Sequence, residues 1–281
     1  MKLYLDCIPC FFDQAIRAGR IAGADEETIK QLLDEIGAML KDISMDTMSP
    51  EVGRRIYGKI REVTGNGDPY KEVKIKSTEQ ALALYDHLKT EIRQSHDPLL
   101  TAVRIAVAGN VIDYGIARRF DMEQEIHDVM RKDFAIFDYD EFRRHLERAR
   151  DVLYIGDNTG EHVLDRLLIE EMGKLTVFVV REVPVINDVT YDDAVRGGLD
   201  KAATILSSGS DAPGNILKFC STAFLDVYAH SGFIISKGQG NYEGLSEENK
   251  TIFFMLKAKC KVIAEDIGIK EGDVILKGIN T

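Results

Sequence analysis

Four short polar stretches carry side chains able to do chemistry, and each follows a run of apolar residues. Gly156-Asp157-Asn158-Thr159-Gly160-Glu161 follows the run 152–155, and Pro184-Val185-Ile186-Asn187-Asp188-Val189-Thr190 comes after 176–180. Ser207-Ser208-Gly209-Ser210-Asp211 follows 203–206, and Lys237-Gly238-Gln239-Gly240-Asn241-Tyr242-Glu243 follows 233–236. Asp157 and Asn158 place two oxygen donors side by side, and Asp188 offers a third from the neighbouring stretch. Oxygen donors suit hard divalent cations such as Mg2+ or Mn2+. A single Asp or Asn before a helix commonly does no more than cap it. Two adjacent ones followed by Thr-Gly-Glu favour the ligand reading. Thr190 and Asp193 have the spacing of a capping box, and Asp192 with Asp193 suits a helix N-terminus, so these carboxylates go to structure and Asp188 to chemistry.

Lys237 ends an apolar run, an odd place for a merely solvated lysine. Gly238 and Gly240 beside it allow close backbone approach. A lysine with exposed backbone N–H groups forms a cradle for phosphate. Lys-Gly-Gln-Gly lacks Walker A spacing, so the inference rests on position, facing the carboxylates across one sheet edge.

The elements that must hold these stretches follow from periodicity. Residues 1–148 read as helical, with apolar residues three and four apart over 13–22, 26–40, 79–94, 99–108 and 122–134. Ser49-Pro50-Glu51 looks like a helix start, and 64–69 reads as a turn. From residue 151 the pattern changes. Short apolar runs at 152–155, 176–180, 203–206, 233–236 and 252–256 alternate with helical stretches near 160–172, 192–198 and 215–229. Such alternation predicts βαβ units, a parallel sheet and an α/β fold in three α/β/α layers. The expected organisation is a helical region over 1–148, packed as a cap on an α/β/α domain over 149–281. Open parallel sheets bind ligands beyond the carboxyl ends of their strands, where the four polar stretches fall.

The helical half contributes Asn110 and Asp113, three apart and so on one helix face, within a small, apolar stretch. They are either a satisfied core network or the cap's share of a site, and spacing does not choose between these. Cys7-Ile8-Pro9-Cys10 is a CxxC that could chelate a metal, exchange disulfides or simply pack. It precedes a helix rather than following a strand, which disfavours redox chemistry; packing and a structural metal stay open. The six histidines show no HxH or HExxH spacing, against a histidine-rich zinc hydrolase.

Composition narrows the classes. The chain has 281 residues, long enough for one large domain or two. With 36 basic and 47 acidic residues its net charge is −11, which disfavours bulk nucleic-acid binding but not a small phosphate. No apolar run reaches membrane-spanning length, no signal peptide is evident, and four cysteines make no disulfide framework. A soluble, cytoplasmic protein with no membrane partner is expected, its oligomeric state unread.

Asp6-Cys7-Ile8-Pro9-Cys10, Ala108-Gly109-Asn110-Val111-Ile112-Asp113 and Gly156-Asp157-Asn158-Thr159-Gly160-Glu161 occur in that order. Val185-Ile186-Asn187-Asp188-Val189-Thr190 and Ser236-Lys237-Gly238-Gln239-Gly240-Asn241 follow them. This ordered set, covering nearly the whole chain, resembles the DUF89 family of metal-dependent damage-control phosphatases, in its CxxC-bearing microbial branch. The resemblance implies a helical N-terminal region on a Rossmann-like α/β/α domain. It also implies hydrolysis of phosphate esters, sugar phosphates or damaged phosphometabolites, with bound Mn2+, Mg2+, Co2+ or Ni2+. By position Asp157, Asn158 and Asp188 are similar to the metal ligands, Lys237 to the phosphate binder, and Asn110 and Asp113 to substrate-pocket residues. Glu161, Ser208, Gly238 and Asn241, at the same strand ends, complete the candidate substrate contacts, and Cys7 with Cys10 remains a candidate second metal or structural site. Thr159 stands where Ala is frequent in the family motif, a departure that leaves the ligands untouched.

Two other readings compete. Gly156-Asp157-Asn158-Thr159-Gly160 loosely resembles a cofactor turn, which would make the chain a nucleotide- or S-adenosylmethionine-dependent transferase. It lacks the central glycine of G-x-G-x-x-G and a clear ribose-binding acid. A non-catalytic metal or phosphometabolite sensor built on the CxxC would bind phosphate without turnover.

Overall fold

The computed structural model describes residues 1–111 and 122–281. Among these, seven strands form one sheet: β1 (Ile136–Phe137), β2 (Asp151–Ile155), β3 (Leu175–Val180), β4 (Thr204–Ser207), β5 (Ile234–Lys237), β6 (Ile252–Lys257) and β7 (Val274–Ile279). Their order is β1-β7-β6-β5-β2-β3-β4, and every neighbouring pair is parallel except β6 with β7. The chain runs outward from β2 to β3 and β4, then returns to place β5 on the other side of β2. That reversal is the topological switch point, where the crevice of an α/β sheet opens.

Strand side chains alternate between faces, and both faces of this sheet are covered, so β2 and β5 read as continuous apolar runs. Val152 and Tyr154 join one core with Phe178, Ile235 and Phe253. Leu153 and Ile155 join the other with Val179, Ile234 and Phe254. The first face is covered by α4 (Lys71–Gln94), α5 (Pro98–Val111), α6 (Met122–Arg131), α7 (Tyr139–Arg148) and α8 (Glu161–Met172). The second carries α10 (Thr222–His230), α11 (Gln239–Leu245) and α12 (Lys261–Ile267). The short α9 (Tyr191–Arg196) sits between β3 and β4.

A third core belongs to α1 (Cys7–Ile21), α2 (Glu26–Leu40) and α3 (Ser49–Thr64), through Phe11, Leu32, Ile36, Val52 and Ile56. It meets Val185 on the loop after β3. One continuous core therefore runs across the expected 148/149 division, joining α4–α7 to the sheet, while α1–α3 close on a core of their own.

The α/β fold with a mostly parallel sheet is as expected, and the five anticipated strands lie within a residue or two of their predicted places. β1 and β7 are additional: β1 is a two-residue edge strand, and β7, which lies between β1 and β6 and runs antiparallel to β6, has as its only signal the short apolar start Val274-Ile275-Leu276. The helix predicted over 215–229 begins at Thr222, because Leu217–Phe219 forms a tighter turn and Ser221 Oγ caps the helix by accepting from Phe224 N at 3.2 Å. α4 starts eight residues earlier than predicted. Its first turns include buried Lys74, whose ion pairs to Asp68 (2.8 Å) and Asp193 (2.9 Å) let a charged residue take a core position.

Candidate active site

The carboxyl end of β2 delivers Asp157 and Asn158. The loop after β3 is laced onto it: Thr159 N donates to Asn187 O at 2.8 Å, Val189 N to Asp157 O at 2.8 Å, and Asn158 pairs with Asp188 in an isolated bridge. Asp157, Asn158 and Asp188 thereby meet at the switch point. Neither Asp157 nor Asn158 is the N-cap of α8; that position is Gly160, at φ +83°, with no side-chain cap. The capping box of α9 forms as predicted, with Thr190 and Asp193 satisfying each other's backbone.

These three residues line a cavity of about 780 Å3. Its opposite wall comes from α1 and α3 (Cys7, Cys10, Phe11, Arg17, Tyr57) and its flank from the end of β6 and beyond (Lys259, Cys260, Lys261).

Behind the cavity lies a dense ionic network. Asp188 accepts from Arg181 Nε at 2.7 Å. Asn110 Nδ2 donates to Asp157 Oδ2 (3.0 Å) and to Glu161, and Asn110 Oδ1 accepts from Lys257 N at 3.2 Å. Asn158 Nδ2 donates to Asp157 Oδ2 (2.7 Å) and Glu161 Oε2 (3.0 Å), which leaves its carbonyl oxygen as the remaining ligand atom. Lys237 pairs with Glu161 at 2.9 Å and with Asp165, and donates to Ala106 O at 2.7 Å. Tyr154 donates to Asp165 at 2.6 Å.

Counted as ions, four buried carboxylates (Asp157, Glu161, Asp165, Asp188) share the region with two buried cations, Arg181 and Lys237. The cluster is thus short of two positive charges. The shortfall falls on Asp157, which among the described residues has no direct cationic partner. Burial, then the charges of Glu161 and Asp188, push its carboxyl up to about 8. Burial also raises Asp188 despite Arg181. For Glu161 the burial effect is outweighed by Lys237 and by hydrogen bonds from Asn110 and Asn158, which hold it below its usual range. A buried set of oxygen donors short of two positive charges fits a hard divalent cation.

The predicted residues thus divide. Asp157, Asn158 and Asp188 come together on the cavity floor. Lys237 does not reach the cavity: its fully buried ammonium is consumed by Glu161 and Asp165, so a direct phosphate grip is not what this lysine makes. Asn110 and Glu161 sit behind the floor with it. Gly238 contributes space rather than a contact. At its φ of +80° a Cβ would lie 1.9 Å from Asp157 Oδ2, so only glycine lets the loop pass the carboxylate. Asn241 ties loops together, accepting from Arg181 Nη2 (3.1 Å) and Asn215 N (2.9 Å) and donating to Gly156 O (3.0 Å) and Lys237 O (2.8 Å). Ser208 is buried off the cavity, its hydroxyl accepting from Ser210 N at 3.2 Å. Asp113 lies outside the described residues.

Cys7 and Cys10 open α1 as free thiols and line the cavity beside Cys260. Burial pushes the thiols of Cys7 and Cys260 up, away from the thiolate form that binds metals. Among the described residues, no cysteine belongs to a converging trio of metal-ligand atoms.

Three contributors lie outside the predicted set. Asp165 is four residues after Glu161, the spacing of one helix face. Arg181 directly follows β3. Lys259 stands just past β6, a strand end of the same kind as the other four, and its charge counters those of Asp157 and Asp188.

Fold and site define a doubly wound α/β protein with a buried oxygen-donor centre at its switch point. The family model of the damage-control phosphatase ARMT1-like domain matches residues 3–275, and the chain belongs to that family. It is 33% identical to a damage-control phosphatase of Pyrococcus horikoshii over 98% of this chain and 97% of that one. It is 32% identical to a damage-control phosphatase of Archaeoglobus fulgidus over 99% of each. The crystal structure of a DUF89 family protein from Pyrococcus horikoshii superposes with a TM-score of 0.92 at 33% identity, covering 99% of both chains.

Proposed function

We propose that this chain is a metal-dependent phosphatase that hydrolyses phosphoric monoesters of small phosphorylated metabolites, with one divalent cation held by Asp157, Asn158 and Asp188. The observation that carries the reading is the two-charge shortfall among the four buried carboxylates at and behind the cavity floor, two of which, Asp157 and Asp188, line the cavity. Mn2+, Mg2+, Co2+ and Ni2+ all accept such donors. The ion, when bound, supplies Lewis-acid polarisation of a phosphoryl oxygen and neutralises charge as it develops.

The chain's own residues do the rest. Lys259, exposed on the cavity wall, holds phosphoryl oxygens as a point charge in the role first expected of Lys237. Arg181 and Lys237 are positioning residues: they fix Asp188 and Glu161. Asn110 orients Asp157 through its amide. Phe11, Tyr57 and Tyr70 form an apolar side for the organic part of the substrate, so α1–α3 act as the cap that shapes the pocket. Its setting in this reading is the cytoplasm, where the wall thiols Cys7, Cys10 and Cys260 stay reduced.

Hydrolysis of an aryl phosphate by chelator-treated protein, with and without each added cation, tests the reading. Turnover should appear only with metal. Turnover of similar rate in metal-free protein would refute it.

A further inference from the structure

A different set of ligands sits on the helical layer, and none of them lines the cavity. α4 carries His87 and Glu91, and α6 carries Glu123 and His127. Each pair is four residues apart, so both members share one face of their helix. The pairs are opposite in order, His before Glu on α4 and Glu before His on α6. When the helices meet, each histidine finds the other helix's glutamate: His87 Nε2 lies 3.4 Å from Glu123 Oε1, and His127 Nε2 lies 3.4 Å from Glu91 Oε2. These separations exceed the ~2.7–3.2 Å of an ordinary N–H···O bond. Within the trio described next, the His87–Glu123 separation matches the edge of a ligand tetrahedron, since donors about 2.0–2.1 Å from a zinc ion stand roughly 3.3–3.4 Å apart. His87, Glu123 and His127 also each offer a ligand atom within 4.8 Å of the others, the one such trio among the described residues.

We infer that His87, Glu123 and His127 form a second metal site, for a borderline cation of the zinc type. Two imidazoles and a carboxylate favour such an ion over Mg2+. Glu91, 3.4 Å from His127 Nε2, lies outside the trio. The site pins α6 to α4. α5 carries Asn110, which holds Asp157 and Glu161, and ten residues separate the end of α5 from the start of α6. An ion tying α6 to α4 therefore fixes the next helix after the one that carries Asn110. The role is structural, and it stands whether or not the cavity hydrolyses phosphate.

Equilibrium dialysis of the metal-free full chain against Zn2+ reads the site directly. His87→Ala combined with His127→Ala should bind one equivalent less than the parent, whatever the cavity carboxylates or thiols take up in both. Alanine is the best helix former, so the variant should unfold at the parent's temperature in chelator. Added Zn2+ should then raise the melting temperature of the parent more than that of the variant. Glu123→Gln keeps the side-chain shape and should weaken the same equivalent by more than the roughly 10–100-fold typical of an outer-shell partner. Equal zinc stoichiometry and affinity in the parent and both variants would overturn the site.

Discussion

Burial and neighbouring carboxylates raise two carboxyls of the centre far above their usual range, Asp165 to about 7 and Asp157 to about 8. The Asp157 carboxyl, raised to about 8 by burial and by Glu161 and Asp188, holds a proton in the folded metal-free protein that the unfolded chain releases near the usual aspartate value of about 4. The folded state therefore binds more protons between about pH 4 and 8, and this group makes metal-free stability fall as pH rises through that window. Asp157→Asn removes that slope, so in chelator the variant should gain most over the parent near pH 8 and least near pH 5. Thermal unfolding at the two pH values checks this, and the same variant should have no measurable turnover with metal.

Two lysines separate the roles of network and wall. Removing Lys237 strands Glu161 and Asp165, and breaking a buried pair costs about 3–5 kcal/mol, so Lys237→Ala should show a large loss in denaturant unfolding. Lys259 is exposed, and its alanine variant should change stability by no more than about 0.5 kcal/mol. It should lower kcat/KM by about 10–150-fold, the equivalent of a charge-assisted bond of about 1.5–3 kcal/mol. If Lys237→Ala stays stable and Lys259→Ala keeps full activity, the two assignments are reversed.

At the scale of elements, the loop after β5 and the loop after β2 are built against each other, and Gly238 is where they touch. Gly238→Ala would drive a methyl into the Asp157 carboxylate, at a backbone angle that favours glycine. Metal affinity, measured by calorimetry, should fall with this variant, whereas Gly268→Ala, with open space around it at a similar φ, should leave it unchanged. The five strands predicted from sequence were legible because doubly covered strands are continuous apolar runs between helical patterns. β7 was not, because its second half is only partly buried: Lys277 and Gly278 interrupt the apolar run. Asp157, Asn158 and Asp188 were readable as strand-end oxygen donors, since the switch-point rule points there from topology alone. The inward turn of Lys237 was not. Strand position cannot tell whether a terminal side chain faces the crevice or the helices behind it, and only the placement of Glu161 and Asp165 on one face of α8 decides that here.

For the whole molecule, the centre is a trade of stability against function. An acidic chain of net charge −11 concentrates uncompensated carboxylates in its interior, at the junction of all three cores. A bound divalent cation would relieve this, and ligand binding to the folded state alone stabilises by about 2.7 kcal/mol at a hundredfold excess over Kd. A melting temperature higher by roughly 4–5 °C with saturating Mn2+ than in chelator follows for a chain of this size. Asp157→Asn with Asp188→Ala should abolish that increment.

Anomalous diffraction from crystals grown with Mn2+ tests the central claim most directly. The account predicts a peak at the cavity floor in bonding contact with Asp157, Asn158 and Asp188, and its loss in Asp157→Asn crystals. Full phosphatase activity in crystals or solution with no peak at those three residues would contradict it.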